Sequence, residues 1–214
     1  MSKYKYLLFD MDGTIADTDR MLFETMNILY DKYRDGVRTP REQIYYFSGP
    51  PISGTLKKEF PNVDYELIYK EFVRVSESLY ASTITTYPDC REVLLDLKKH
   101  GYKLAVVTNK VKKLTLYCLE IIHLEDIFDV VIGFDDVKKC KPDAEGCLKA
   151  LQLLGANDLS QALYLGDNIM DFETANNAGI DCALVAWGPR VLPSELKPVF
   201  KFSSYQDLRR KLDE

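Results

Sequence analysis

An apolar run near the start of the chain ends abruptly at a pair of aspartates. Residues 6–9 have the length and bulk of a buried parallel strand, and Asp10-Met11-Asp12-Gly13-Thr14 follows them directly. Gly13 favours a sharp turn at this point. Two like charges held so close together are costly to bury unless they share a cation or one of them takes a proton. Because α/β folds place their ligands at the carboxyl ends of strands, the segment predicts a chemical site there.

Five apolar runs spread along the chain predict the strands of a parallel sheet. Helix-like stretches separate the last four runs, among them 88–100 and 143–154, and a last amphipathic helix is expected over 204–212. The stretch 143–154 carries Leu148, Leu151 and Leu154. This alternation is typical of a doubly wound α/β fold with helices on both faces of the sheet. The runs are 4–9, 103–107, 129–134, 162–165 and 182–187.

The segment between the first two runs has a different pattern. Residues 16–86 contain no convincing strand, but apolar residues recur there at helical spacing, and Asp64 is placed to cap the second helix. We therefore predict a catalytic core formed by 1–15 and 87–214, with an all-helical cap formed by 16–86 over the active edge of the sheet. The recurring apolar positions are Leu22, Met26, Leu29 and Tyr33, then Ile68, Phe72, Val75 and Leu79.

Composition excludes several classes of function. The net charge is -5 and no basic tract is present, which argues against nucleic-acid binding. No apolar stretch is long enough to span a bilayer, and the N-terminal segment lacks the apolar core of a signal peptide. The five cysteines are dispersed without a Cys-x-x-Cys pair, which favours reduced thiols and a cytoplasmic location. Neither of the two histidines has a catalytic context, so zinc sites and Ser-His-Asp triads are not expected.

Polar residues suited to phosphate or metal stand at the ends of three of the predicted strands. The first strand ends at Asp10, the second at Thr108-Asn109-Lys110 and the fourth at Gly166-Asp167-Asn168. The segment Lys141-Pro142-Asp143 precedes a helix and could reach the same place, and Asp171 follows Asp167 by about one helical turn. In a parallel sheet these ends lie along one edge, so we expect them to converge on one pocket.

These residue types meet the requirements of phosphoryl transfer. A divalent cation and a lysine must neutralise the charge of a phosphoester before an anionic nucleophile can approach it. Mg²⁺ prefers carboxylate and carbonyl oxygens, which Asp10, Asp12 and Asp167 can supply. One carboxylate can attack phosphorus to give an aspartyl-phosphate, and a second can protonate the leaving oxygen and then activate water. Asp10 and Asp12 together can provide both functions.

The same residues resemble the four motifs of the haloacid dehalogenase superfamily. The motifs are Asp10-x-Asp12-Gly13-Thr14, Thr108-Asn109, Lys141-Pro142 and Gly166-Asp167-x-x-x-Asp171, and they occur in the family's order over essentially the whole chain. The helical insertion between the first two motifs is similar to the small cap of the phosphoglycolate phosphatase-like branch. The resemblance implies a Rossmann-like core in which the strands ending at Asp10 and Asp167 lie side by side.

The resemblance also implies a role for each motif residue, with Mg²⁺ as the cofactor. Asp10 would be the nucleophile and a metal ligand, Asp12 the general acid/base with its backbone carbonyl on the metal, and Asp167 a further metal ligand. The remaining implied roles are phosphoryl contacts from Thr108 and Asn109, charge neutralisation by Lys141, orientation of Lys141 or of metal-bound water by Asp171, and stabilisation of the turn by Thr14.

Several residues also have purely structural explanations. Thr108 could cap the following helix, Lys141 could be a solvated surface lysine, and Asp171 could be a first-turn carboxylate that the helix dipole favours. Asp17 and Asp19 are interpreted as helix-capping residues.

Two aromatic segments and one loop complete the interpretation of the sequence. Trp187 is expected to be a packed loop anchor, and the cluster 45–47 is assigned to the core of the insertion. The loop Gly49-Pro50-Pro51 is the candidate for contact with the leaving group of the substrate.

The leading function is a Mg²⁺-dependent phosphatase acting on a small phosphorylated metabolite, such as a phosphoglycolate-like monoester. An inorganic pyrophosphatase of the same branch and a β-phosphoglucomutase-like phosphomutase are the alternatives, and a catalytically idle binding protein is a third class. The sequence Thr108-Asn109-Lys110 resembles phosphatases more than mutases. No partner other than the metabolite is expected, with neither nucleic acid nor membrane involved, and both a monomer and a homodimer are compatible with the sequence.

Overall fold

A six-stranded parallel sheet forms the centre of the molecule, in a computed structural model that describes residues 2–213. Its strands are β1 (Tyr6–Phe9), β4 (Lys103–Val107), β5 (Val130–Ile132), β6 (Ala162–Gly166), β7 (Asp181–Val185) and β8 (Phe200–Phe202), and β2 (Ala16–Asp17) and β3 (Thr85–Thr86) form a separate antiparallel pair. The order across the sheet is β5-β4-β1-β6-β7-β8. Phe9 pairs with Val106 on one side and with Leu165 on the other, so β1 lies at the point where the strand order reverses.

Helices cover both faces of this sheet. They are α5 (Cys90–Lys99), α6 (Lys112–Ile121), α7 (Glu145–Leu153), α8 (Ile169–Ala178) and α9 (Tyr205–Asp213). The segment 16–86 contains α1 (Asp19–Tyr33), α2 (Arg41–Ile44), α3 (Ile52–Glu59) and α4 (Tyr65–Thr83). Leu7 and Phe9 of β1 belong to a core that includes α5, α6 and α9, whereas Leu8 belongs to a second core with α7 and α8. Successive side chains of a strand point to opposite faces, so a continuous apolar strand fills both cores. The predicted doubly wound α/β fold is therefore confirmed.

The five predicted strands are all present, but the prediction of the sheet was incomplete. The sixth strand, β8, has only three residues, and the charged Lys201 interrupts its apolar pattern. Strands β2 and β3 have two residues each, which is too short for any periodicity to show. Their pairing brings the two ends of the segment 16–86 together, where the chain leaves and re-enters the region of the sheet. The domain division at these positions stays a prediction, and this pairing supports it.

Helices α1 to α4 have an apolar core of their own. The predicted stripe residues Leu22, Met26 and Leu29 of α1 pack there with Ile68 of α4. The carboxylate of Asp64 accepts a hydrogen bond from the backbone N–H of Leu67 at 3.0 Å, which is the helix cap that the sequence indicated.

α7 packs through Cys147, Ala150 and Leu151, whereas Leu148 is 43% exposed. One expectation about the core of the insertion was wrong. Tyr46, assigned to the core of the insertion, is 47% exposed, and its hydroxyl instead exchanges hydrogen bonds with the backbone of Val191. None of the helices within residues 2–213 combines the length and apolar character that a membrane span requires.

Thiol reactivity provides a test of this packing. Cys140 is half-buried and the other four cysteines are buried. Burial raises the pKa of Cys90 and Cys118 to about 11 and that of Cys147 to about 12. Since the thiolate is the reactive form, we expect Cys140 to react first with Ellman's reagent at neutral pH, and the other four only after unfolding.

The control for this experiment is Cys140→Ser, which should remove the fast reaction of the native protein and leave the total in denaturant lower by one thiol. Rapid reaction of any second thiol in the folded protein would contradict the packing described here.

Candidate functional site

The turn after β1 holds the first of the predicted site residues. Asp10 is buried, and its backbone N–H donates to the carbonyl of Leu165 in β6 at 2.8 Å. Gly13 has φ +84°, a conformation that favours glycine. A Cβ atom at this position would overlap the carboxylate of Asp167 and the guanidinium of Arg190. Glycine is therefore required both for the turn and for the close approach of Asp167.

Lys141 lies at the centre of a buried group of charges. Its Nζ donates to Asp10 Oδ1 at 2.7 Å and to Asp171 Oδ1 at 2.6 Å, and it also donates to the hydroxyl of Tyr164 at 3.1 Å. The side chains of Lys141, Asp10 and Asp171 are almost completely shielded from solvent. Lys141 is therefore a buried partner of two carboxylates, and its interpretation as a solvated surface lysine was wrong.

Burial dominates the protonation of these groups. It raises the pKa of Asp10 to about 6, an effect that Lys141 opposes and that the negative charges of Asp171 and Asp12 reinforce. Burial also raises the pKa of Asp167 well above its usual range, although Arg190 acts in the opposite direction. For Lys141, burial would lower the pKa, but the charges of Asp10 and Asp171 outweigh it and the pKa is raised. The carboxylates thus lie where additional positive charge would be stabilising.

The donor set fits a hard divalent cation. Asp10, Asp167 and Asp171 each offer a carboxylate oxygen, and these oxygens lie within 4.8 Å of one another. Asp10 Oδ2 is buried and has no hydrogen-bond partner among residues 2–213. A cation that prefers oxygen ligands would complete its coordination there. Asp171 is already engaged, because its Oδ1 accepts from Lys141 and its Oδ2 accepts from the backbone N–H of Asn168 at 3.0 Å.

Asp12 points away from this group and pairs with Lys110. The Nζ of Lys110 donates to Asp12 Oδ1 at 3.0 Å and lies 5.2 Å from the ring centre of Tyr80 in α4. Burial acts to lower the pKa of Lys110, but the charge of Asp12 outweighs it and the pKa is raised well above its usual range. Sequence reasoning noted Lys110 but gave it no role. The sequence signal that could have identified Lys110 as a site residue was its position directly after Thr108-Asn109.

Asn109 binds protein backbone on both sides of its amide. Its Nδ2 donates to the carbonyl of Gly49 at 2.9 Å and to that of Lys141 at 3.2 Å, while its Oδ1 accepts from the N–H of Lys141 at 2.9 Å. Asn109 thus connects the loop at Gly49 with the segment that carries Lys141. Thr108 lines the same cavity as Asp10, and its hydroxyl accepts from the N–H of Lys110. Thr108 does not cap α6, whose N-cap residue is Val111.

Thr14 and Trp187 fix the turn from the other side. The backbone carbonyl of Thr14 accepts hydrogen bonds from the hydroxyl of Tyr205 at 2.9 Å and from Nε1 of Trp187 at 3.2 Å. Trp187 also stacks on Tyr205 with ring centres 4.5 Å apart, so it is a packed loop anchor as predicted. Thr14 stabilises the turn through its main chain, because its buried hydroxyl has no partner among residues 2–213.

Arg190 is the residue that sequence reasoning missed. Its guanidinium donates to Asp167 Oδ2 at 2.7 Å, to Asp19 Oδ1 at 2.5 Å and to the carbonyl of Tyr45 at 2.9 Å. The side chain is almost fully buried. Asp19 is thus an ion-pair partner and does not cap α1, whose N-cap residue is Thr18. Nothing in the loop sequence around Arg190 distinguished it from a surface arginine.

A cavity of about 110 Å³ joins the strand ends to the helical insertion. Its floor contains Asp10 and Asp12, and its opposite wall comes from the segment 16–86. Within the predicted specificity loop, Gly49 and Pro50 line this cavity. Pro51 does not, because it faces a separate groove on the outer side of the insertion. The contact of the loop Gly49-Pro50-Pro51 with the leaving group stays a prediction.

The chain is similar in sequence and in structure to known hydrolases. Residues 7–185 match the haloacid dehalogenase-like hydrolase family. The chain is 34% identical over 211 residues to pyrophosphatase PpaX of Bacillus cereus strain AH820, covering 96% of this chain and 95% of that protein. A predicted phosphoglycolate phosphatase from Haemophilus somnus 129PT superimposes with a TM-score of 0.88 at 21% identity over 100% of both chains. A haloacid dehalogenase-like family hydrolase from Streptococcus pneumoniae has a TM-score of 0.81 at 20% identity over 99% of both chains.

Removal of the central lysine tests the buried charges. In Lys141→Met, the carboxylates of Asp10 and Asp171 lose their shared partner, and we expect a loss of roughly 3–5 kcal/mol in the free energy of unfolding. The loss should shrink as the pH is lowered, because a protonated Asp10 carries no charge to compensate. Urea denaturation at several pH values measures both effects.

The matched control is Lys98→Met, which removes a half-exposed pair with Asp129. We expect a cost of about 1 kcal/mol or less for that variant. Equal losses in the two variants would show that Lys141 is not acting through buried charge.

Arg190 can be tested through the mobility of the insertion. Arg190→Met removes the ion pair with Asp19 and the hydrogen bond to Tyr45, so we expect faster amide exchange at the start of α1 and around residues 45–47. Hydrogen–deuterium exchange read by mass spectrometry follows these segments. Arg34→Met breaks an ion pair with Glu59 inside the insertion, and should leave the exchange of residues 45–47 unchanged. Unchanged exchange in Arg190→Met would rule out a tethering role.

Proposed function

Because this chain belongs to the haloacid dehalogenase-like hydrolase family and is a phosphatase of that family, we propose that it is a Mg²⁺-dependent enzyme that releases phosphate from a small phosphorylated metabolite through an aspartyl-phosphate on Asp10. One observation carries the proposal. Asp10 has one oxygen fixed by Lys141, while its other oxygen is buried beside a small cavity and has no partner among residues 2–213. That arrangement suits a carboxylate that must coordinate a cation and attack phosphorus.

The reaction proceeds by two displacements at phosphorus. A carboxylate oxygen of Asp10 forms a bond to phosphorus as the bond from phosphorus to the leaving oxygen breaks, and Asp12 gives that oxygen a proton. Asp12 then takes a proton from water, which attacks the phosphoryl group and releases phosphate with Asp10 regenerated. The hydrogen bond from Lys110 fixes the Asp12 carboxylate at the floor of the cavity and supports the second step, in which Asp12 takes the proton from water.

The other charged residues of the site would bind the metal and position Asp10. Phosphatases of this family generally use a divalent metal, and Asp10, Asp167 and the backbone carbonyl of Asp12 would hold Mg²⁺ here. The bound ion would neutralise the oxygens of the transferring group. Lys141 holds Asp10 in place and adds positive charge beside it, and Asp171 orients Lys141.

The contacts of Thr108 and Asn109 support a different role for each residue. Thr108 lines the cavity next to Asp10, so its hydroxyl is available to the phosphoryl group. The side chain of Asn109 is occupied by the backbone of Gly49 and Lys141, which favours a role in aligning these two loops. A phosphoryl contact from Asn109 would require one of these hydrogen bonds to break. The segment 16–86 is proposed to act as the cap, since it closes the cavity opposite Asp10.

Pyrophosphate is the second candidate substrate, and a specific observation favours it. The curated relative that is 34% identical over nearly the full chain is named a pyrophosphatase. Hydrolysis of pyrophosphate would use the same Asp10 attack with phosphate as the leaving group. The phosphomutase alternative is less favoured, because Thr108-Asn109-Lys110 resembles phosphatases. Conversion of β-glucose 1-phosphate into glucose 6-phosphate with little free phosphate would support the mutase.

The nucleophile is tested by Asp10→Asn. We expect phosphate release to fall below detection, because an amide cannot form the phosphoenzyme, while the thermal transition persists because Lys141 keeps Asp171 as a partner. For Asp12→Asn we expect a loss of roughly 10²–10⁴-fold, with a phosphate adduct on Asp10 detectable by mass spectrometry after an acid quench.

The controls use the wild-type protein. A chelator should abolish phosphate release and added Mg²⁺ should restore it. Unchanged turnover in purified Asp10→Asn would remove Asp10 from the nucleophile role, whereas turnover that persists in chelator would remove the metal from the proposal.

A further inference from the structure

The wall of the cavity that faces the leaving group carries no positive charge. Seven apolar side chains of the insertion line it, and the other contributions of the insertion are uncharged. None of the nine basic residues between positions 16 and 86 lines the cavity within the described chain. The seven apolar residues are Met21, Leu22, Phe47, Pro50, Ile52, Phe72 and Val73.

Several basic residues of the insertion are engaged elsewhere. Arg34 pairs with Glu59 at 2.8 Å, Lys32 pairs with Glu71 at 2.6 Å, and Arg38 pairs with Asp31 at 2.6 Å, all away from the cavity. These side chains could reach the cavity only by giving up their partners. The insertion therefore offers an apolar surface to whatever lies opposite Asp10.

The core contributes one cation to the lining of the cavity, the ammonium of Lys110, and this group already has a partner. Its Nζ is held by the carboxylate of Asp12 at 3.0 Å, on the side of the cavity that belongs to the core. A leaving group with its own negative charge would lose its water against Phe47, Phe72 and Val73, where the ammonium of Lys110 is already bound by Asp12. Desolvation of a charge without a partner is strongly unfavourable. A neutral leaving group avoids that cost and gains from burial of its apolar surface.

We propose that the substrate is a small phosphomonoester of an uncharged alcohol, whose apolar part packs against this wall. The inference rests on the phosphatase chemistry proposed above and names its substrate class. Such an alcohol oxygen requires a proton when its bond to phosphorus breaks, and Asp12 at the cavity wall can provide it. The small volume of the cavity, about 110 Å³, limits the alcohol to a few carbon atoms. Both phosphoglycolate and pyrophosphate carry charge on the part that would meet the apolar wall.

The experiment compares three substrates of nearly equal size with the wild-type protein at constant free Mg²⁺. The substrates are propyl phosphate, phosphoglycolate and pyrophosphate. We expect kcat/KM for propyl phosphate to exceed both others by roughly tenfold or more. A higher kcat/KM for phosphoglycolate or for pyrophosphate would overturn the inference.

A binding measurement keeps this outcome separate from failure of the proposed function. The affinity of Asp10→Asn for the same three compounds is measured by titration of the fluorescence of Trp187, the single tryptophan of the chain. Absence of turnover on all three compounds with wild type would count against the phosphatase. In that case the order of affinities still decides the inference, since tighter binding of either anionic compound would overturn it.

A cation introduced into the wall should reverse the preference. Val73 lines the cavity and is half-buried, so the ammonium of Val73→Lys can reach the leaving group. We expect kcat/KM for phosphoglycolate relative to propyl phosphate to rise at least roughly tenfold in this variant. Ile52→Lys, at the start of α3, is the second variant in case Val73→Lys folds poorly.

The matched control is Val37→Lys, which makes the same exchange at an insertion residue that is 62% exposed and does not line the cavity. Its substrate ratio should equal that of wild type. An unchanged ratio in folded Val73→Lys and Ile52→Lys, or an equal rise in Val37→Lys, would overturn the inference.

Discussion

The ion pairs of Lys141 are the constraint on which the arrangement of the site depends. A buried ammonium and two buried carboxylates are tolerated only when they lie within hydrogen-bonding distance of one another. Asp10 comes from the end of β1, Asp171 from the first turn of α8, and Lys141 from the loop before α7. Any shift of one of these elements would leave an uncompensated charge in the core. The charges therefore fix the relative positions of the end of β1, the loop before α7 and the first turn of α8. The apolar sheet beneath these charges provides rigid support.

The core and the insertion contribute in different ways to the cavity between them. The core supplies charge, with three clustered carboxylates that two cations only partly compensate, and the orphaned oxygen of Asp10 shows where a further cation fits. The insertion supplies shape and apolar surface. Chemistry at phosphorus requires fixed charge, which the core supplies. Discrimination among substrates requires contact with the leaving group, which the insertion can supply.

The sequence predicted the elements whose signals are local. Buried parallel strands are continuous apolar runs, so five of the six strands were found, and the residues that end them include most of the charged site. The features that the sequence did not predict are those that depend on a partner distant in sequence. Strand β8 is defined by its pairing with β7, and the importance of Arg190 arises from contacts with Asp19 and Asp167. No single-sequence pattern specifies either.

The same distinction explains what the sequence could not specify within the predicted site. The motif position of Asn109 and the loop position of Pro51 indicated the region, but the orientation of each side chain is decided by its neighbours. Asn109 turns to the backbone of Gly49 and Lys141, and Pro51 turns to the outer groove.

Arg190 shows how the charge of the core and the position of the insertion are linked. Its guanidinium neutralises Asp167, one of the clustered carboxylates, and binds Asp19 and the carbonyl of Tyr45 in the segment 16–86 at the same time. A cation that binds Asp167 Oδ2 must share this oxygen with the guanidinium or displace it. Either change alters the contacts of a guanidinium that also binds Asp19 and the backbone of Tyr45. One side chain therefore connects the clustered carboxylates with the insertion that lines the cavity.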